Sequence, residues 1–245
     1  MKVKISLFAI FTATLLLAQG GTPMITNDTG TPPQNGWEIN IASTLEKRGN
    51  NKIIEAPLID INYGVRDNIA VKFESSNTIN KQENQKSISG VGNAETGVKW
   101  RFFDSDGLSL STYPRYTFTP NKNSIDRGVV GKEDSIYLPI ELTKEFDGGG
   151  VSVEAGYRFS KTNLNKDAIE LGAVYGYEAA KDIELLCEYR YKADYDLKNS
   201  AKIVQFGVKA QLLPKYTLIA SIGKELSTPE DKKALLGFFG VQMKF

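Results

Sequence analysis

The feature that most constrains this chain is a two-residue alternation that returns repeatedly from about residue 37 to Phe245. Val151, Val153, Ala155, Tyr157 and Phe159 interleave with Ser152, Glu154, Gly156 and Arg158. Ile183, Leu185, Cys187, Tyr189 and Tyr191 interleave with Glu184, Glu188 and Arg190. Val204, Phe206, Val208, Ala210 and Leu212 interleave with Gln205, Gly207, Lys209 and Gln211. Successive side chains of a strand point to opposite faces, so each segment reads as a strand with one apolar face and one face of charges, polar groups or glycine. Twelve such segments can be marked, recurring about every 19 residues and most about 10 residues long, which is the repeated signature of a barrel that turns its apolar face to lipid. A soluble antiparallel sandwich also alternates, but its strands would be spaced irregularly. No internal stretch approaches the roughly 20 apolar residues of a membrane-spanning helix.

The connections sort into two classes. Those after even-numbered segments are short: 64–67, 104–107, 147–150, 179–182 and 213–215. Those after odd-numbered segments are longer and polar, at about 75–90, 119–134, 160–167, 192–202 and 225–233, and only the first, 47–51, is brief. Short turns at one end and long loops at the other are the habit of outer-membrane barrels. The fold expected is therefore all-β: a transmembrane antiparallel barrel of about 12 strands, with short periplasmic turns, longer external loops and both termini periplasmic. Pro57, Pro114 and Pro139 fall inside strands and mark bulges or broken pairs, because proline has no ladder donor.

The first residues read as an address. A basic start, Met1 to Lys4, leads into the apolar run Ile5 to Leu17 and then the small residues Ala18, Gly20 and Gly21. This is the order of a secretory signal peptide. The chain divides into a signal peptide at 1–20 with cleavage within 18–21, an N-terminal periplasmic segment at 21–35, and the barrel at 36–245. The segment holds Pro23, Pro32 and Pro33, which argues against a strand. It either folds into the lumen as a plug or hangs in the periplasm. The expected location is the outer membrane of a Gram-negative bacterium. Phe245, ending an alternating strand, resembles the C-terminal recognition signal of such proteins, so the barrel-assembly machinery is an expected partner, with outer-membrane lipids and lipopolysaccharide around it.

Composition removes several functions. The chain has 30 basic and 29 acidic residues, no histidine and one cysteine. The even balance argues against nucleic-acid binding. Without histidine the commonest general base and metal ligand are missing, and one cysteine makes no disulfide framework or Cys-rich zinc site. No cofactor, metal or catalytic site is expected. The outer-membrane enzymes that act on lipid or peptide resemble one another in needing a histidine, so a channel or transporter is expected rather than an enzyme. A barrel serving as anchor, receptor or adhesive surface through its external loops is the alternative.

Pro23-Met24-Ile25-Thr26-Asn27-Asp28-Thr29-Gly30-Thr31, followed by Gly36-Trp37-Glu38-Ile39-Asn40, resembles the opening of a family of proposed outer-membrane transporters labelled after the meta-pathway of phenol degradation. The turn Tyr63 to Asn68 is similar to that family's first periplasmic turn, and Gly90 to Trp100 to its next, glycine-rich signature. The resemblance implies an outer-membrane barrel with a transport role. It departs at Thr119-Pro120-Asn121, where members carry a Pro-Thr-Gly-like sequence.

Alternation also sorts the charges. Glu38, Asp60, Glu74, Glu95, Glu141, Glu154, Glu170, Glu184 and Glu188 should face the lumen, with Lys72, Lys99, Arg101, Arg115, Arg158, Arg190 and Lys209. That set is mixed in sign, without the arginine excess expected of a channel for acidic sugars. Twelve strands lie between a side-chain-filled barrel of eight and a broad pore of sixteen or more. A small solute would then meet a narrow constriction in which Lys99, Arg101, Arg115 and Arg158 face Glu95, Glu141, Glu154 and Glu188.

Overall fold

The computed structural model describes residues 21–162 and 166–245. The expected signal peptide lies outside the described residues. The strands are β1 (Trp37–Arg48), β2 (Asn51–Arg66), β3 (Ile69–Lys81), β4 (Ile88–Ser105), β5 (Leu108–Thr112), β6 (Arg115–Phe118), β7 (Asp134–Phe146), β8 (Gly149–Ser160), β9 (Ala168–Ala180), β10 (Ile183–Asp194), β11 (Ser200–Leu213), β12 (Tyr216–Ser227) and β13 (Ala234–Lys244). A short helix, α1 (Lys122–Asp126), follows β6. Each strand pairs antiparallel with its sequence neighbours, and β5 and β6 both pair with β4 and β7, forming two arms of one broken strand. β1 then pairs with β13 from Glu38↔Lys244 to Arg48↔Ala234 and closes the sheet. The wall is a twelve-stranded antiparallel barrel.

Burial is inverted relative to a soluble protein. Phe206, Ile222 and Phe239 are 59%, 61% and 60% exposed, whereas Glu141, Glu154 and Glu188 are 0%, 1% and 0% exposed. The apolar face of the alternation lies outside and the charged face lines the interior. Closure leaves no unpaired sheet edge, the condition for strands to cross hydrocarbon. Aromatic pairs sit outside at both levels of this belt. Trp37 and Tyr63 are 4.6 Å apart near the barrel's closing seam, and Tyr157 and Phe159 are 4.6 Å apart toward the opposite end. Cys187 lies on the outer face.

Five two-residue turns cluster at one end: 67–68, 106–107, 147–148, 181–182 and 214–215. Asp106 and Gly107 have φ of 51° and 70°, the left-handed pair of a type I′ hairpin that matches strand twist. The opposite end carries 82–87, 119–133, 161–167, 195–199 and 228–233, with 49–50 alone short. Two of these loops are much shorter than the sequence suggested. β3 continues to Lys81 and β4 starts at Ile88, so the loop expected over about 75–90 shrinks to 82–87. Likewise the 192–202 connection shrinks to 195–199. The hydrogen-bonded ladder runs past the apolar belt, where the outward side chains no longer need to be apolar, and hydropathy alone ends the strand too soon.

Two of the three strand prolines sit at visible irregularities. The pairing of β2 shifts register on both sides of Ala56-Pro57. Tyr113-Pro114 separates β5 from β6, and Pro139 stands opposite the gap between the Ser111↔Glu141 and Arg115↔Tyr137 pairs. The Pro139 carbonyl accepts Thr112 Oγ1 at 2.7 Å on that side, so its missing donor falls where the partner strand is already broken. The segment 119–133, with α1, folds inward at the long-loop end. Ser124 and Val129 are buried, and Asn80 Nδ2 donates to the Gly128 carbonyl at 3.0 Å.

An arginine on the lipid side tests the inversion. Ala173→Arg, in the middle of β9, should lower the stability of the bilayer-inserted barrel by about 2–4 kcal/mol, and Leu226→Arg, near the long-loop end of β12, by at most about 1 kcal/mol. Denaturant unfolding in vesicles reads both; equal costs would contradict the assigned belt.

Candidate functional site: a charged lumen and the segment seated in it

The interior holds a chain of ion pairs that crosses several strands. Arg115 on β6 reaches Glu95 on β4 at 3.6 Å and Glu154 on β8 at 3.7 Å. Arg190 on β10 meets Glu154 at 3.1 Å and Glu170 on β9 at 2.5 Å. Arg158 closes on Glu170 at 2.7 Å. Tyr137 adds a hydroxyl donor to Glu154 at 2.9 Å, and its ring lies under the Arg115 and Arg158 guanidinium groups at 4.6 and 4.7 Å. Beside this chain, Lys99 pairs with Glu141 at 3.3 Å, and Glu141 accepts Ser111 Oγ at 2.5 Å. Each charge of this chain and of the Lys99–Glu141 pair therefore has an opposite charge or a donor, which a low-dielectric interior requires.

Residues 21–31 are bonded into this network. The Ile25 and Thr26 amides donate to the two Glu188 carboxylate oxygens at 3.1 and 2.6 Å, and Gln205 donates to Glu188 at 2.5 Å. Asn27 gives its backbone N–H and its side-chain amide to Glu154 Oε2 at 3.3 and 3.2 Å. Lys99 Nζ donates to the Asp28 carbonyl. Thr29 bonds Thr143 at 3.3 Å and Ser109 at 2.5 Å. Met24 packs on Val174 and Leu186, and the Pro23 carbonyl accepts Ser221 at 3.1 Å. The segment thus touches strands from β4 round to β12. Two inward glycines make room: a Cβ on Gly172 would overlap Thr26, and one on Gly207 would overlap Met24. The exit is fixed near the short turns, where Gln34 N–H donates to Asp67 at 2.9 Å and Thr31 Oγ1 to the Asp67 carbonyl at 2.7 Å.

The eight expected constriction residues do not all meet. Glu95, Arg115, Glu154 and Arg158 belong to the transverse chain. Lys99 with Glu141, and Glu188, hold the N-terminal segment as well as the wall. Arg101 stands apart at the short-turn rim, bonding the Asp67 carbonyl at 2.9 Å and Asp104 at 3.3 Å. Being two residues beyond Lys99 toward the turn, it shares the face but not the height. Arg190 and Glu170 complete the chain; alternation places them on the inner face, but only the register of neighbouring strands brings them to the same level. Tyr137 is recognisable only as an aromatic on the polar face. At the long-loop rim Lys166 bridges Asp194 and Asp196 at 3.3 Å each, and the Lys198 backbone N–H holds the Asp196 carboxyl below its usual range.

One cavity lies toward each end. A cavity of about 580 Å³ at the short-turn end is bounded by Asp28, Pro33, Glu38, Lys72, Lys99 and Lys215 among others. A second, of about 470 Å³, is bounded at the long-loop end by Ile53, Glu55, Thr78, Asn80 and Val129. The ion-pair chain lies between their levels.

Neither the protein-family models nor the curated protein sequences yield a match to this chain. Solved structures do. An outer-membrane channel from Pseudomonas putida F1 superposes with a TM-score of 0.70 over 89% of this chain and 98% of that one, at 11% identity. The NanC porin gives 0.66 over 84% and 100% at 9% identity, and the KdgM porin 0.59 over 84% and 99% at 11% identity. The fold is shared with outer-membrane channels and porins.

Displacing the segment is a direct test of its seat. Gly172→Val, which intrudes on Thr26, and Glu188→Gln, which weakens two charge-assisted bonds at a cost of about 1–3 kcal/mol, should each speed amide exchange over residues 24–29 by about tenfold or more. Hydrogen-exchange mass spectrometry reads this against unchanged protection of β10.

Proposed function

We propose that the protein is a channel of the bacterial outer membrane, exported with a signal peptide cleaved within 18–21, that passes small solutes through a narrow, mixed-charge lumen in which residues 21–34 act as a plug. The observation that carries this reading is the pair of end cavities, on either side of a transverse layer of Arg–Glu pairs to which the N-terminal segment is hydrogen-bonded. A wall built only as an anchor has no need of a polar interior with space at both ends. The shared fold with porins and with a Pseudomonas putida channel supports it, and so does the resemblance of Pro23–Thr31 and Gly90–Trp100 to the transporter family of the phenol meta-pathway label. In this reading the short turns face the periplasm, the outer belt meets membrane lipid and lipopolysaccharide, and Phe245 presents the signal read by the barrel-assembly machinery. The constriction is the layer of Glu95, Arg115, Glu154, Arg158, Glu170 and Arg190.

Planar-bilayer recording of the refolded protein from residue 21 tests the reading. The full mature chain should give small conductance steps, and a chain lacking residues 21–34 should give larger ones. Arg190→Gln should shift ion selectivity toward cations, because Glu154 and Glu170 lose the charge between them. A barrel that shifts mobility on heating yet stays silent in both forms would turn the assignment toward an anchor or receptor.

A further inference from the structure

The lumen is mixed in sign as a whole, but its charges are not evenly placed along the axis. The long-loop cavity has Glu55 as its ionisable wall residue and is otherwise lined by Asn80, Gln82, Asn93, Thr78 and apolar groups. The short-turn cavity is lined by Lys72, Lys99, Arg101, Lys209, Lys215 and Lys244. Three acids face them, Asp28, Glu38 and Glu184, and each already stands by a cation: Lys99 at 3.8 Å, Lys244 at 3.4 Å and Lys209 at 4.0 Å. The cavity wall is therefore basic by six side chains to three, with the terminal carboxylate of Phe245 a fourth anion.

Three interior cations gather about one ring. The Tyr113 ring, 3% exposed in the break between β5 and β6, has Lys72 at 4.7 Å, Arg115 at 4.9 Å and Lys99 at 5.6 Å from its centroid. Arg115 is matched by Glu95 and Glu154, and Lys99 by Glu141. Lys72 has the ring face, and among the described residues no carboxylate lies within ion-pairing distance of it. Lys72 differs from the other two cations at this ring in having no ion-paired carboxylate, with Asp60 and Glu38 acting on it from farther off. A contact at ion-pairing distance is left for an anion entering from the open end of the cavity, where Lys215 stands on the rim.

We propose that the short-turn vestibule is a binding site for a small oxyanion, a phosphate or a short carboxylate, held between Lys72, Lys99 and Arg101. These three side chains belong to the wall, and the site stands whether or not the barrel conducts. Its size suits a small molecule and not a polymer, since small-ligand pockets run from about 300 to 1,000 Å³. Ammonium groups fit phosphate and carboxylate as point charges, while Arg101 offers a planar fork.

Binding is read without current. Inorganic phosphate titrated into the refolded full mature protein in zwitterionic micelles, followed by phosphorus NMR line broadening, should show saturable binding that weakens as chloride is raised. Lys72→Gln should weaken it at least fivefold, Lys72→Arg should retain it, and Lys233→Gln, on an external loop, should leave it unchanged. Lys215→Gln, on a turn outside the strands, should weaken it less than Lys72→Gln and keeps the test usable if Lys72→Gln does not fold. Absence of saturable binding by the native chain, equal binding by Lys72→Gln, or an equal loss in Lys233→Gln would overturn the proposal. Succinate in place of phosphate separates the two sources: competition supports one shared oxyanion site.

Discussion

Pairing every backbone group along a closed sheet is the constraint from which the other features follow. Once β1 hydrogen-bonds β13, the wall has no edge, and its outer face can be wholly apolar. The inner face must then accommodate every polar side chain that alternation assigns to it. Carboxylates such as Glu141, Glu154 and Glu188 become nearly inaccessible, and an unpaired buried charge is costly. The Arg–Glu chain is thus a consequence of closure as much as a functional device. It also bears load unequally: removing one member of such a pair costs about 3–5 kcal/mol, because the partner is left buried and alone.

The same logic explains why a segment without strand character is well ordered. Residues 21–31 have little apolar area of their own beyond Met24 and Ile25. Their order comes from carboxylates that the wall already holds inside. Glu188 and Glu154 have acceptor capacity left after meeting Gln205, Tyr137 and Arg190, and the segment's amides fill it. The interaction is mutual, since the segment's amides would otherwise lose their water and find no partner.

How much of this was legible differs by level. Alternation identified twelve strands, their faces and the two classes of connection, because a period of two is a local property that survives in any context. Strand ends were read less well: Ser75 to Lys81 is polar, yet it carries the ladder beyond the belt. The constriction was legible only as a set of inward charges. Which of them touch depends on register, and register depends on the bulges at Ala42/Thr44, at Glu55/Leu58 and between Ser75 and Asn77, each of which shifts the levels of everything beyond it. Arg190 enters the network because β10 sets it opposite Gly172 of β9, the next inward position after Glu170, and Arg101 falls below it by lying two residues beyond Lys99 toward the turn. α1 left no trace in the alternation, since five residues held by the Asn121 cap make no period.

Glycine on the inner face carries information that charge counting misses. Gly172 and Gly207 alternate with lipid-facing side chains, so sequence alone reads them as gaps in a polar row. In the barrel they are sites where something else must fit, and Thr26 and Met24 fit there. A wall that bonded the segment only through Glu188 and Glu154 could hold it at many depths, because carboxylates accept from any amide. Two recesses of fixed position select one depth. The segment's placement is therefore set by shape and its retention by charge, and the two can be separated: a change in charge alters how long the segment stays, whereas a side chain on Gly172, where the Thr26 Cβ stands in the way, alters where it can sit.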